Sequence, residues 1–366
     1  FWLKHRLEAV HCKPGLHQRF HRTLHTSAPM GAVLSTACHA SFVCILAGNM
    51  LWAAGLMKLV HCLPLSKRAR EGCSLSLVQA AWRITFLFSP WVWCTSLGNE
   101  AEQWSSVLSL MDRSDAEAAL SSSPPRPLFV LGNHSSFLDA LLSASVMPTR
   151  VLRRCRTYMD HHLFKMPVLA TICRSVGHFP VHFASDKDGV FKVDGSKMEI
   201  VEKQVDEHLN TGGWLCFFPE GQTNKTPDTL LPFRFGGMKR ALEFDAMLVS
   251  FASYGNTTVW PRSMPVGGRP GKVRHSLDVL APQGARAFVA QLRAEGSPED
   301  RALKDHELLA RHAHARMQAQ YDELKASPSS VLSLAPACLT LAASAGLGLA
   351  AACLAAEALR ARRALA

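Results

Sequence analysis

Apolar positions along the chain fall into two kinds of run. Long, nearly uncharged stretches stand toward the ends, and short apolar runs alternate with amphipathic stretches between them. The first long stretch, Ala32 to Met57, covers 26 positions without a formal charge, and His39 and Asn49 are its strongly polar side chains. Roughly 20 apolar residues suffice to cross a bilayer as a helix, so the pattern predicts a transmembrane or deeply embedded helix. Residues 75–97 form a second apolar stretch, interrupted by Gln79, Arg83 and Pro90 and crowded with Trp82, Trp91 and Trp93. Indoles favour the headgroup level and a mid-span arginine is costly in hydrocarbon. This stretch therefore predicts an interfacial helix hairpinned with the first, with a full second span as the alternative. A third stretch, 331–356, is rich in Leu, Ala and Gly. It has small-xxx-small pairs such as Gly346 with Ala350, and Arg360, Arg362 and Arg363 follow it. It predicts a C-terminal transmembrane helix whose basic flank favours the cytosolic side, as does the loop carrying Lys67, Arg68 and Arg70.

Residues 99–327 read as a soluble mixed domain. The runs 128–132, 214–218 and 247–252 predict buried strands. Residues 135–146, 195–209 and 238–244 predict helices, with Asp194 as N-cap of the second and Gly212–Gly213 ending it. Strands alternating with helices point to an α/β layer architecture. The chain thus divides into a basic segment (1–30), membrane-anchoring helices (31–98), a catalytic-sized α/β domain (99–327) and a C-terminal helix with a basic tail (328–366). Residues 1–29 contain Glu8 as their one acid. They resemble an organellar targeting segment, or stand outside the native coding sequence, with Met30 to Ser35 then fitting a myristoylation pattern.

Composition supports the membrane reading. The 366 residues are 48% hydrophobic and 19% charged, against roughly 25% charged in soluble chains. The net charge of +11 suits an anionic partner. Nucleic acid is set aside, because no C2H2 spacing, RNA-binding aromatic motif or basic recognition helix is present; a phospholipid surface fits better. The 11 cysteines include no C-x-x-C pair, so neither a disulfide framework nor a structural zinc site is expected. Of the 17 histidines, the adjacent His161 and His162 would point apart on a helix, and no metal site is predicted. The absence of G-x-S-x-G, G-x-G-x-x-G and Walker A strings sets aside serine hydrolases and nucleotide-dependent chemistry.

The chemistry concentrates in two strings, each at the end of a predicted strand. The first is Asn133-His134-Ser135-Ser136-Phe137-Leu138-Asp139. An aspartate five positions after the histidine, in a first helical turn, can reach back to one imidazole nitrogen. The other nitrogen is then free to take a proton, which is the base half of a catalytic triad. Histidine suits the task because its unperturbed pKa is about 6.5. Alone, such a pair is a frequent coincidence in a chain with 17 histidines. The second string, Phe217-Phe218-Pro219-Glu220-Gly221-Gln222-Thr223-Asn224, raises its weight, because loops at strand carboxyl ends converge on a crevice.

Together the strings resemble the glycerolipid acyltransferases of the lysophosphatidic acid acyltransferase type, with an N-H-x-x-x-x-D block followed by an F-P-E-G block. The resemblance covers roughly residues 125–265. Phe164 to Pro167 and Gly177 to Val181 stand where the family has its intermediate block. The resemblance implies a glycerolipid-acyltransferase-like α/β domain, to which the apolar stretches add an N-terminal membrane hairpin and a C-terminal transmembrane helix. It implies His134 as general base, Asp139 as its partner, and Glu220 and Gly221 as residues that help bind the acceptor. Asn133, Pro219, Thr223, Asn224, Lys225 and Arg234 complete the expected binding set. The donor would be acyl-CoA or acyl carrier protein as a substrate, with no cofactor and no metal. The oxyanion would be met by N–H groups of the Pro-Glu-Gly turn or of the helix start after His134.

Two departures bear on the acceptor. Where the family has an arginine suited to phosphate, this chain has Thr223, and Lys225, Arg234 and Lys239 are the cations left for that task. Where the intermediate block often has arginine, this chain has His182. The acceptor is therefore lysophosphatidic acid or another lysophospholipid. A catalytically silent, lipid-binding or scaffolding member of the same fold is the rival reading. The expected location is the endoplasmic reticulum membrane, with a plastid or mitochondrial envelope as alternatives.

Overall fold

The computed structural model describes residues 28–184 and 192–327. The predicted C-terminal helix and nearly all of the basic N-terminal segment lie outside the described residues. The described residues from Ser35 onward form one compact unit, and the architecture below is that unit's.

In chain order the elements are α1 (Ala28–Cys62), α2 (Lys67–Leu87), β1 (Val92–Ser96), α3 (Glu100–Ser121), β2 (Leu128–Gly132), α4 (Leu138–Val146) and α5 (Thr149–Leu152). Then come β3 (Cys155–Arg156), β4 (Tyr158–Asp160), a 3-10 turn (His161–Lys165), α6 (Pro167–Ser175), β5 (Phe179–Val181), β6 (Phe183–Ala184) and β7 (Lys192–Val193). The remainder are α7 (Gly195–Asn210), β8 (Trp214–Phe217), α8 (Phe235–Glu243), β9 (Met247–Tyr254), α9 (Asn256–Val259), β10 (Gly271–Ala281), α10 (Ala285–Glu295), α11 (Pro298–Ala302) and α12 (Asp305–Ala326).

Six strands form the main sheet in the order β1-β10-β9-β2-β8-β3. β2 is central and runs parallel to both β8 and β9, whereas β10 returns antiparallel to β9. A parallel strand covered on both faces needs apolar residues throughout, and all five residues of β2 are buried. Its alternate residues Phe129 and Leu131 join Leu215, Phe217 and Leu248 in a core closed by α7, α8, α10 and α12. Asp194 caps α7 by accepting from Lys197 N, as its position predicts. The strands 128–132, 214–217 and 247–254 match their sequence patterns. α4, however, starts three residues later than expected, because residues 133–137 form the loop that carries His134.

The anchoring region differs from expectation. Ala32–Cys62 is the one described helix long and apolar enough to cross a membrane. One side of it is packed, with Phe42 and Met57 buried, and Leu51, Leu56 and Leu59 are exposed. Its polar residues are spent on the domain: His39 Nδ1 on Gly267 O at 2.8 Å, and Asn49 Nδ2 on Thr85 Oγ1 at 2.8 Å. The second stretch is not one interfacial helix. Its first part ends α2, and its last part is β1, paired in parallel with β10. Arg83, expensive in lipid, donates instead to Ser145 O at 2.8 Å and Met147 O at 3.3 Å, while Gln79 donates to Ala144 O and Met147 O. Both side chains satisfy carbonyls at the end of α4 that a helix leaves open. The α/β domain therefore begins before residue 99.

Candidate active site

The two motif strings meet at the carboxyl ends of β2 and β8, adjacent strands whose following loops fold over one another. Backbone bonds fix the junction: Asn224 N donates to His134 O at 2.6 Å, and Arg234 N to Pro219 O at 2.8 Å. Asn133, 2% exposed, grips the end of β9, donating to Ser253 O at 3.0 Å and accepting from Ser253 N at 2.7 Å. His134 thus leaves a strand whose two neighbours are each tied to its exit loop.

Asp139, in the first turn of α4, reaches back as the spacing predicts. Its Oδ2 lies 3.1 Å from His134 Nδ1 and also accepts from Ser135 N at 2.6 Å and Ser136 N at 2.8 Å. Its Oδ1 accepts from Asn256 Nδ2 at 2.5 Å. A carboxylate only accepts, so Nδ1 carries its proton toward Asp139 and Nε2 presents a lone pair. The imidazole is also held flat against Phe218, with ring centroids 4.2 Å apart and planes at 12°. Asp139 is 2% exposed, whereas the His134 side chain retains 19% exposure, so the imidazole is reachable and the carboxylate is not.

The remaining predicted residues separate into those that build the site and those that face outward. Glu220 was expected at the acceptor. It is instead buried at 2% exposure, with Oε1 accepting from His134 N at 2.7 Å and Oε2 from Leu231 N at 2.9 Å. Burial raises its carboxyl above the ordinary range, against the pull of those two N–H groups. Both oxygens point inward because the turn at His134 leaves a buried N–H that needs an acceptor. Asn224, 4% exposed, likewise turns inward, donating to Thr229 O and accepting from Thr226 N. Pro219 is buried. Gly221 has φ +69°, and a Cβ there would stand 2.4 Å from Arg234 Cδ. Glycine is therefore required both by the left-handed backbone and by the arginine lying across it.

Lys225, Arg234 and Lys239 are exposed, and Arg234 Nε lies 3.4 Å from Glu220 O, at the edge of the turn. Thr223 stands where no pattern placed it: its Oγ1 is 3.1 Å from His134 Nε2. Arg262 Nη1 donates to Thr223 O at 3.0 Å. Sequence reasoning missed Asn256, Phe218, Ser253 and Arg262 as members of the site. Asn256 lies 117 positions after Asp139, and only the parallel pairing of β2 with β9 brings the two together.

Other reactive groups lie elsewhere. Burial pushes the Cys216 thiol up to about 12 and Cys173 up to about 11, so neither is a thiolate at neutral pH. His161 and His162, expected to diverge, sit in a 3-10 turn with ring centroids 4.0 Å apart, and His182 is 5.0 Å from His161. Asp160 in this group is already engaged, accepting from both N and Nδ1 of His162 at 2.9 Å. An open depression of about 340 Å³, lined by Pro125, Arg126 and Asp245 among others, lies at the opposite end of β2 from His134.

Residues 118–254 match the family model described as acyltransferase. Among solved structures, the fold is similar to that of the 1-acyl-sn-glycerophosphate (LPA) acyltransferase PlsC from Thermotoga maritima. The TM-score is 0.56 at 15% identity, covering 82% of this chain and 100% of that one. No curated protein matches the chain in sequence.

Proposed function

We propose, from the match of residues 118–254 to the acyltransferase family model, that the chain moves a fatty acyl group from acyl-CoA to a hydroxyl of a lysophospholipid. The observation that carries this reading is the buried Asp139 aimed at His134 Nδ1, with Nε2 turned to the Thr223 hydroxyl at 3.1 Å on a side chain that stays 19% exposed. The acceptor hydroxyl donates to Nε2 and attacks the thioester carbonyl as its proton passes to His134. Asp139 holds the tautomer and stabilises the imidazolium that forms. The tetrahedral intermediate collapses, the C–S bond breaks, and the thiolate takes the proton from His134. The products are the ester and free CoA.

The oxyanion donors expected at the helix start are already spent, since Ser135 N and Ser136 N both bond to Asp139. Gly221 N is bound to Phe218 O. The backbone N–H groups of Gln222 and Thr223, which have no hydrogen-bond partner among the described residues, are the donors we assign instead. Arg234 and Lys225, exposed beside the same turn, are assigned to the acceptor's phosphate. The apolar outer side of α1, with Leu51, Leu56 and Leu59 exposed, supports seating the domain on a membrane, where a lysolipid partitions. Phe42 of α1 meets Trp260 edge-on at 6.1 Å, and Trp260 also faces Phe137 at 5.9 Å. The anchor and the catalytic loop are thus joined by an aromatic bridge. The test is donor and acceptor dependence: oleoyl-CoA with lysophosphatidic acid gives a diacyl product, and release of free fatty acid alone contradicts the reading.

A further inference from the structure

We propose that Thr223 is a built-in stand-in for the acceptor. Its hydroxyl occupies the proton-accepting nitrogen of His134 until the acceptor's hydroxyl replaces it, and this suppresses hydrolysis of the acyl donor by water. The inference rests on His134 being the general base.

Nδ1 of His134 is committed to Asp139, an acceptor-only group, so Nε2 is the ring's lone-pair nitrogen. The Thr223 hydroxyl, 3.1 Å away, therefore donates to Nε2. That is the bond an attacking hydroxyl has to make. One lone pair accepts one such donor well, so acceptor and Thr223 compete for it.

The placement is imposed by the backbone on both sides. Asn224 N holds His134 O at 2.6 Å, and Arg262 holds Thr223 O at 3.0 Å. Asn224 then pins the following turn through Thr226 and Thr229. The ring itself is clamped by Asp139 and by the Phe218 stack. What stays free is rotation about χ1 of Thr223, one step between staggered wells. The hydroxyl is thus delivered to Nε2 by the loop and removed by a single rotation.

The consequence concerns water. His134 keeps 19% of its side-chain surface exposed. A bound thioester would therefore sit beside an imidazole able to activate water. In that side reaction a water O–H gives its proton to Nε2 and the oxygen attacks the thioester carbonyl. The C–S bond breaks, and the thiolate is protonated by His134, leaving fatty acid and CoA. With Nε2 held by Thr223, water has to displace a fixed intramolecular partner. A lysolipid anchored by its own headgroup and chain does so at high local concentration. Threonine fits this role better than a nucleophile's, since its hydroxyl is secondary and hindered by the methyl beside it.

The test uses the full chain, purified in detergent or reconstituted in vesicles, with oleoyl-CoA as donor. CoA release is followed with and without oleoyl lysophosphatidic acid. The proteins compared are wild type, Thr223→Ala, Thr223→Val, Thr223→Ser and His134→Ala. The expectation for Thr223→Ala is acceptor-independent CoA release at least about fivefold above wild type, the equivalent of one neutral hydrogen bond. Its KM for the acceptor falls by a similar factor, and Thr223→Ser restores both values. A general loss of structure would raise KM or lower every rate, so the direction of the KM change identifies the role. Unchanged partition and KM in both Thr223→Ala and Thr223→Val would overturn the proposal. An acyl group found covalently on wild-type Thr223 by mass spectrometry would overturn it as well, in favour of a nucleophile. Full activity in His134→Ala would instead remove the reading beneath it, and is told apart by leaving the Thr223 comparison without a base to act through.

Discussion

Replacing Asp139 by asparagine separates the charge of the site from its shape. The carboxylate takes three N–H groups on Oδ2 and one, from Asn256, on Oδ1. Asparagine keeps one acceptor oxygen, which belongs on the side with three donors. Its new NH2 group then faces Asn256 Nδ2, two donors in contact. Asn256 can relieve this by flipping its amide, because its own Oδ1 is buried without a partner among the described residues. The flip gives up the Nδ2 bond to Ser253 Oγ at 2.9 Å, although that hydroxyl can turn to donate elsewhere. The folding cost is thus held to about one neutral hydrogen bond, near 1 kcal/mol. The tautomer survives, since an oxygen still accepts from Nδ1. What is lost is the charge opposite the imidazolium in the transition state. A hydrogen bond to a charged group contributes about 1.5–3 kcal/mol, so kcat for acyl transfer falls by about 10- to 150-fold. Asp139→Ala, by contrast, strands four buried donors and reduces folded protein as well as rate. The assay is transfer from labelled acyl-CoA to lysophosphatidic acid, with thermal unfolding run on the same preparations. An Asp139→Asn enzyme within about threefold of wild type, at wild-type stability, would refute the claim that the buried carboxylate drives the base.

Glu220→Gln replaces one of two acceptor oxygens by a donor, so either His134 N or Leu231 N loses its partner; urea unfolding should show a loss of about 1–3 kcal/mol. A raised acceptor KM without that loss would return Glu220 to the binding set. Gly221→Ala forces a Cβ against Arg234 at a positive φ and should cost about 1–3 kcal/mol, read from the urea midpoint; an unchanged midpoint contradicts the geometry. The pH dependence of stability follows from His178 and His208, which burial, helped by nearby Arg156, holds down at about 3 and about 4. In the unfolded chain they titrate near the ordinary value of about 6.5. Between that value and the folded ones the unfolded state binds more protons, so stability falls as pH is lowered from about 6.5, by up to about 1.4 kcal/mol per unit for each group. Urea midpoints from pH 7 to 4.5 check this, and a slope unaltered in His178→Gln would exclude that histidine as a source.

The features legible in the sequence were those written within a few residues of one another. The five apolar residues of β2 read as a buried strand, Asp194 read as a cap, and the histidine–aspartate spacing read as a reach within one turn. Each depends on local periodicity or short-range stereochemistry, and each stands as expected. Misreadings arose where a residue's meaning depends on a distant partner. Arg83 and Gln79 looked like flaws in a membrane segment, because the open carbonyls of α4 that they satisfy are some 65 positions away. β10 mixes Arg274, His275, Ser276 and Asp278 into its strand and gave no clean alternation; the packing of β9 and α3 makes it one. Glu220 reads as an acceptor-binding residue through its motif, whereas the buried N–H groups of His134 and Leu231 turn its carboxylate inward. Thr223 read as the loss of a phosphate-binding arginine, and only the crossing of the two loops reveals its hydroxyl at the imidazole.

The central claim is that His134 removes the proton from an acceptor hydroxyl. Its most direct test is transfer of label from acyl-CoA to lysophosphatidic acid, other lysophospholipids and glycerol 3-phosphate by wild type and by His134→Ala at equal folded protein. The account predicts acceptor-dependent product in the wild type and a loss of at least about a hundredfold in the variant. Equal product formation by the two proteins, or none from the wild type with any acceptor, would contradict it.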